Sequence, residues 1–205
     1  MKLKATLLLM LALPAIAMAQ DWNNKKYLAG AVPQQQGVVI FSRTYEVPGK
    51  SRAEIFSLLR EYTERQILNG ENSLPQCRLV ECDEVEGLLA ARVEEYLYFK
   101  RSALVSHRTR MSYELVYDVR DGGFTVDMRR IRYRYEEQET PNGMEQNFTA
   151  EEWISDAEAL TKKGTLLRKT RKFRVFTIDR KDEIFREAAR AAGATVKTRL
   201  VEVDD

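Results

Sequence analysis

The 205-residue sequence predicts an α+β domain in which one curved antiparallel sheet is backed by helices on one face, in the order β-α-β-β-β-β-α-α. Three observations carry this. Four consecutive β-type segments lie between Cys77 and Glu136, among them two alternating runs joined at Asp121-Gly122, and Asp-Gly in that setting is the strongest short-range hairpin signal. Two capping boxes, Ser51 with Glu54 and Thr149 with Glu152, open helices on either side of the block. Helices kept apart from a run of strands pack onto one face of the sheet those strands form.

The chain starts with a segment that does not belong to that fold. Lys2 and Lys4 precede an apolar run from Leu7 to Leu13, followed by Ala17-Met18-Ala19, the pattern of a secretory signal peptide over residues 1–19. The run falls short of the ~20 apolar residues a membrane helix needs. Cleavage is expected between Ala19 and Gln20, giving a periplasmic or secreted product. Gln20 is not a cysteine, so no lipid anchor is expected, and no later run of spanning length predicts a transmembrane segment. Loss of Lys2 and Lys4 takes 33 basic residues to 31, against 31 acidic. The mature chain is therefore neutral overall and lacks the global positive field of a nucleic-acid binder.

Roughly 185 mature residues bury one core. Residues 20–36 are polar, with Pro33 and three glutamines at 34–36, and read as an N-terminal leader. The domain is expected over 37–193. Val38 to Val47 alternates as a strand ending at Pro48-Gly49. Ile55, Leu58, Leu59 and Tyr62 at helical spacing extend the Ser51 helix to about Leu68, where Asn69-Gly70 stops it. Cys77 to Val85, Leu88 to Phe99, Leu104 to Arg120 and Phe124 to Glu136 are the four β segments. A two-residue loop at Asp121-Gly122 sets Val119 against Phe124, Tyr117 against Val126 and Leu115 against Met128 on the core face, with Glu114 opposite Arg129 outside. Past Met128 the apolar phase slips to Ile131, Tyr133 and Tyr135, which predicts a β-bulge near Arg129-Arg130. Thr149 opens a helix carrying Trp153, Ile154 and Leu160; a basic segment from Lys162 to Arg174 follows. Asp179 is expected to cap a last helix closed by Gly193, and 194–205 reads as a tail.

Little in this chain points to catalysis. His107 is the single histidine, which excludes any two-histidine metal centre, and neither a nucleophile elbow nor a glycine-rich phosphate loop occurs. Cys77 with His107 is a conceivable nucleophile and base, although a strand cysteine and a strand histidine beside arginines account for both residues more simply. Cys77, Cys82 and His107 supply too few zinc ligands at no familiar spacing. No metal or cofactor is expected. Nor is a disulfide: five residues of strand span roughly 16 Å, against the ~7 Å limit between bridged Cα atoms.

Two constellations are candidates for binding. Tyr113, Tyr117, Phe124, Tyr133 and Tyr135 either form the core or line a pocket between sheet and helices for a small apolar, lipid-like ligand. The stretch Tyr96 to Tyr135 is rich in arginine, and after the bulge Arg130, Arg132 and Arg134 share a face with Arg108 and Arg110 of the neighbouring strand. Guanidinium groups so arrayed hold carboxylates, sulfates or phosphates bidentately. The simpler account is a solvated ladder paired with Glu94, Glu95 and Glu114.

Several stretches also resemble a known family: Tyr27 to Pro33, Tyr45-Glu46-Val47-Pro48-Gly49-Lys50-Ser51, Glu95 to Phe99, Arg108-Thr109-Arg110, Ile131-Arg132-Tyr133 and Thr149 to Ile154. Together these are similar to an uncharacterised family of exported Bacteroides-type bacterial proteins, a domain of unknown function with a TBP-like fold lying within Val38 to Tyr135. The resemblance implies a curved antiparallel sheet backed by helices and carries no functional residues. Likeness to a DNA-bending fold transfers no function. The expectation is an exported, non-enzymatic binding domain whose partner is an unknown protein or an anionic envelope ligand and not nucleic acid. The alternatives are the apolar-ligand binder and, third, a hydrolase.

Overall fold

The computed structural model describes residues 21–101, 106–135 and 146–194. The expected signal, its cleavage site and the tail beyond residue 194 lie outside the described residues. After a single turn of 3₁₀ helix at Lys25–Tyr27 come β1 (Gln34–Gln35), β2 (Val38–Glu46) and α1 (Arg52–Tyr62), the last continued by a π-helical turn at Thr63–Leu68. Then follow β3 (Arg78–Asp83), β4 (Leu88–Arg101), β5 (Ser106–Arg120), β6 (Gly123–Tyr135) and β7 (Gln146–Thr149). The chain ends in α2 (Ala150–Trp153), α3 (Asp156–Ala159) and α4 (Arg171–Ala192).

The seven strands make one antiparallel sheet in the order β1-β2-β6-β5-β4-β3, with β7 also on β6. The expected hairpin register is the observed one: Val119 pairs with Phe124, Tyr117 with Val126, Leu115 with Met128 and Glu114 with Arg129. The predicted bulge is present as well. Between Ser112–Arg132 and Glu114–Arg129 the β6 strand carries one residue more than its partner, and Arg130 takes a left-handed φ of 55°. There β6 changes neighbours on its edge away from β5, from β2 along Gly123–Arg129 to β7 along Arg132–Tyr135.

The core lies between the sheet and helices α1 and α4. Ile55, Phe56 and Leu59 of α1 and Ile178, Phe185, Ala188 and Ala189 of α4 are buried there with Val93, Met111, Leu115 and Val126 of the sheet. Tyr113, Tyr117, Phe124 and Tyr133 are fully buried in this layer, and the three tyrosine hydroxyls are engaged: Tyr113 donates to Glu95, Thr63 donates to Tyr117, and Tyr133 meets Thr177 at 2.7 Å. Both capping boxes form. Cys77 and Cys82 are free thiols, as their spacing predicts.

Three expectations need correction. The polar stretch ahead of Gly37 is not a leader but part of the packed structure: Tyr27 and Val32 are in the core, and its backbone is held by α4. Asp179 does not cap the last helix; it sits inside α4, where it accepts from the Tyr27 hydroxyl at 2.9 Å. The cause is Arg174, fully buried on the core side of α4, a charge that breaks the apolar pattern by which the helix would be read as starting earlier. Finally, the Thr149 helix stops after Trp153, and a separate turn at α3 precedes Leu160. Gly193 closes α4 with a left-handed φ of 77°, as expected.

Candidate functional site on the helix-free face of the sheet

Successive residues of a strand point to opposite faces, so every core residue of β4, β5 and β6 has a neighbour on the side away from α1 and α4. Glu94 and Glu95 divide in this way. Glu95 is 1% exposed and faces α4, where Arg180 grips it through Nε at 3.0 Å and Nη2 at 2.8 Å. That carboxylate raises the pKa of the guanidinium despite the opposing effect of burial. Glu95 is therefore no rung of an outer charge ladder, which corrects the expectation that it pairs with the arginine stripe. Glu94 does lie on the outer face, 4.0 Å from Arg110.

All five predicted arginines are on or beside this face, four of them in two groups and Arg108 apart. Arg130 pairs with Glu114 at 2.9 Å, where Arg92 and Arg129 also converge at 3.5 and 3.6 Å. Arg110, Arg132 and Arg134 cluster toward β7. Arg108 is spent differently, lying 3.7 Å over the Tyr96 ring and donating to the Tyr98 hydroxyl at 3.1 Å. Two shallow hollows follow from this arrangement. One of about 460 Å³ runs from Gln76 and Arg92 to Arg130 and Arg132. A second of about 400 Å³ continues past Arg110 and Arg134 to Asn147, Thr149 and Glu152. Glu94, Ser112 and Arg132 line both, so Arg132 stands where they meet.

Arg132 makes no ion pair with any described residue. Glu152, across the second hollow, is held below the usual carboxylate range by the Thr149 backbone N–H and hydroxyl, with Arg132 adding a smaller pull. What the face offers is a guanidinium that shares its hollows with Arg110, Arg130 and Arg134 on one side of the charge balance and Glu94, Glu114 and Glu152 on the other, and that can take a further acceptor bidentately. Arg92 and Arg129 were missed as site residues. The β5–β6 register exposed the second through its pairing with Glu114, whereas the first depends on the β4–β5 register, which the longer connection there left open.

The remaining candidates separate. The Cys77 thiol donates to the Glu94 carbonyl at 3.1 Å, while His107 meets the Tyr135 hydroxyl at 2.7 Å and Lys172 at 3.1 Å. Neither is the other's partner. Among the described residues no three of His, Cys, Asp or Glu gather as metal ligands, and no helix is long and apolar enough to cross a membrane.

A single open antiparallel sheet carrying its helices on one face, with no helix on the other among the described residues, defines a TBP-like α+β domain. The family profile described as a domain of unknown function (DUF4468) with TBP-like fold matches residues 41–134. A DUF4468 family protein from Bacteroides ovatus is similar in structure at a TM-score of 0.73, with 34% identity over 83% of this chain and 95% of that one. The chain belongs to the DUF4468 family. A TBP-like protein from Parabacteroides distasonis shares the fold, at a TM-score of 0.64 and 16% identity over 79% of this chain and 97% of the other. No curated protein matches the chain.

Proposed function

We propose that this chain is a non-enzymatic binding domain of the bacterial envelope that holds an anionic protein or envelope ligand on the helix-free face of its sheet. The observation that carries the reading is Arg132, which lines both hollows without an ion pair to any described residue. Glu114 already takes three guanidinium groups, so Arg130 is the weaker anchor. The separate engagements of Cys77 and His107 favour binding over hydrolysis. The full burial of Tyr113, Tyr117, Phe124 and Tyr133 favours it over an apolar pocket beneath the helices.

Capture from a native envelope extract by wild type and by Arg132→Glu tests the face. The expected result is a bound partner lost from the variant and released by salt, because exposed charges are screened over ~8 Å at physiological ionic strength. Equal capture by the variant overturns the assignment. Export rests on the signal pattern at residues 1–19. N-terminal sequencing of the envelope or culture fraction should read Gln20 first, and a chain still beginning at Met1 in the cytoplasm contradicts it.

A further inference from the structure

A third hollow lies beyond Phe148, which it shares with the second, where β7, α2 and the start of α4 meet the far end of the β4–β5 hairpin. It encloses about 380 Å³, within the size range of small-molecule sites. Its walls are aromatic. Phe148 stacks on Trp153 at 3.8 Å and 13°, and Phe173 meets Trp153, Tyr135 and Phe99 edge-on at 4.8–5.8 Å. Phe99 and Phe173 are buried, but Phe148, Trp153 and Tyr135 keep part of their surface in solvent. Tyr135 and Phe148 offer apolar surface to a visitor, and Trp153, stacked on Phe148, offers the part of its ring that Lys169 leaves uncovered.

The rim is cationic. Arg168, Lys169, Arg171 and Lys172 line the hollow, and among the described residues no Asp or Glu does. None of the four makes an ion pair with a described residue. Lys169 lies over the Trp153 ring at 4.5 Å and Arg171 over Trp22 at 4.5 Å. Burial, together with Arg171 and Lys100, depresses the Lys172 pKa. Two donors here are buried without an acceptor, Arg171 Nε and Trp153 Nε1, and the N-cap of α4, Thr170, makes no capping hydrogen bond and has its hydroxyl oxygen buried and unpartnered. Unpaired buried donors are costly, and the positive end of a helix dipole adds to the same field. Charge, donors and helix terminus all call for a negative group; the rings call for a flat apolar body beside it.

We propose that this hollow binds a small organic anion built on an aromatic ring, its carboxylate, sulfonate or phosphate set against Arg168, Lys169 and Lys172 and its ring against Trp153 and Tyr135. The site shares Phe148 with the arginine face but none of its cationic groups.

Naphthalene-2-sulfonate is a suitable probe, with neutral 2-naphthol and inorganic sulfate as its two halves, each titrated calorimetrically into the mature protein. The sulfonate should saturate one site, at least about tenfold more tightly than either half. Exchanging the exposed pair as Arg168→Glu with Lys169→Glu should weaken it by about tenfold or more without lowering the melting temperature, and Trp153→Leu should weaken it as well. Arg132→Glu should leave it unchanged, which separates this site from the face above. No saturation by about 10 mM, equal affinity in the double variant, or equal affinity for either half each overturns the proposal.

Discussion

Arg174 of α4 donates through Nε to the backbone carbonyl of Tyr27 at 2.7 Å, so a helix near the end of the described chain holds its first turn in place. The same guanidinium donates to the carbonyls of Leu28 and Ile154 and to Asp156 at 2.6–2.7 Å. A fully buried charge is tolerated because its donors meet well-placed acceptors. One side chain thereby ties the N-terminal segment, the α2–α3 turn and α4 into a single body.

Removing that charge leaves the buried carbonyls of Tyr27 and Ile154 short of a donor. Arg174→Met, which keeps much of the volume, should cost about 3 kcal/mol in urea unfolding. It should also open the N-terminal segment to trypsin at Lys25 and Lys26. Wild-type resistance at those sites in the variant contradicts the role assigned to Arg174.

Neighbouring glutamates should behave oppositely. Glu95→Gln breaks a buried bidentate pair with Arg180 and is expected to destabilise by about 3 kcal/mol. Glu94→Gln, on the outer face with Arg110 4.0 Å away, should change stability by no more than about 0.5 kcal/mol. Comparable losses from both would mean that the two side chains do not face opposite sides of the sheet.

Two turn glycines, Gly87 between β3 and β4 and Gly122 between β5 and β6, separate steric from torsional cost. A Cβ on Gly87 would lie 2.1 Å from the Val119 carbonyl oxygen, and φ there is 76°. At Gly122 φ is 72° with nothing within 4 Å. Gly122→Ala should cost about 1 kcal/mol, and Gly87→Ala clearly more, because backbone must move. Thermal melts of the pair give the order directly.

Burial first, and then the Lys172 ammonium, lowers the His107 pKa. The folded state favours neutral imidazole, so the unfolded chain binds the proton more readily. The contribution of His107 to stability is therefore present above the unfolded value of about 6.5 and is lost as pH falls through the folded value. With a single histidine in the chain, NMR titration should give one imidazole midpoint, below 6.5. A midpoint at or above that value contradicts the environment described.

The arrangement of strands was legible in the sequence wherever local rules reach. The β5–β6 register followed from Asp121-Gly122, because a two-residue loop leaves only one alignment that keeps Tyr117 and Val126 on the core face. The slip of apolar phase after Met128 located the bulge to the residue pair where Arg130 turns left-handed. The arginine face was legible in part for the same reason: Arg130, Arg132 and Arg134 share the strand that the bulge re-phases.

What lay beyond the sequence depends on distant partners. Alternation puts Glu95 in phase with Val93 and Leu97 on the core face, but nothing local names Arg180 as the partner that makes its burial tolerable, or marks Arg174 as the buried pin of a segment far earlier in the chain. Nor does local pattern gather Trp153 and Tyr135 beside Lys169 and Lys172. Periodicity and turn chemistry act over a few residues and decide strands, register and bulge. A buried charge or a mixed aromatic and cationic hollow is decided by which acceptors and rings the closed fold brings within reach.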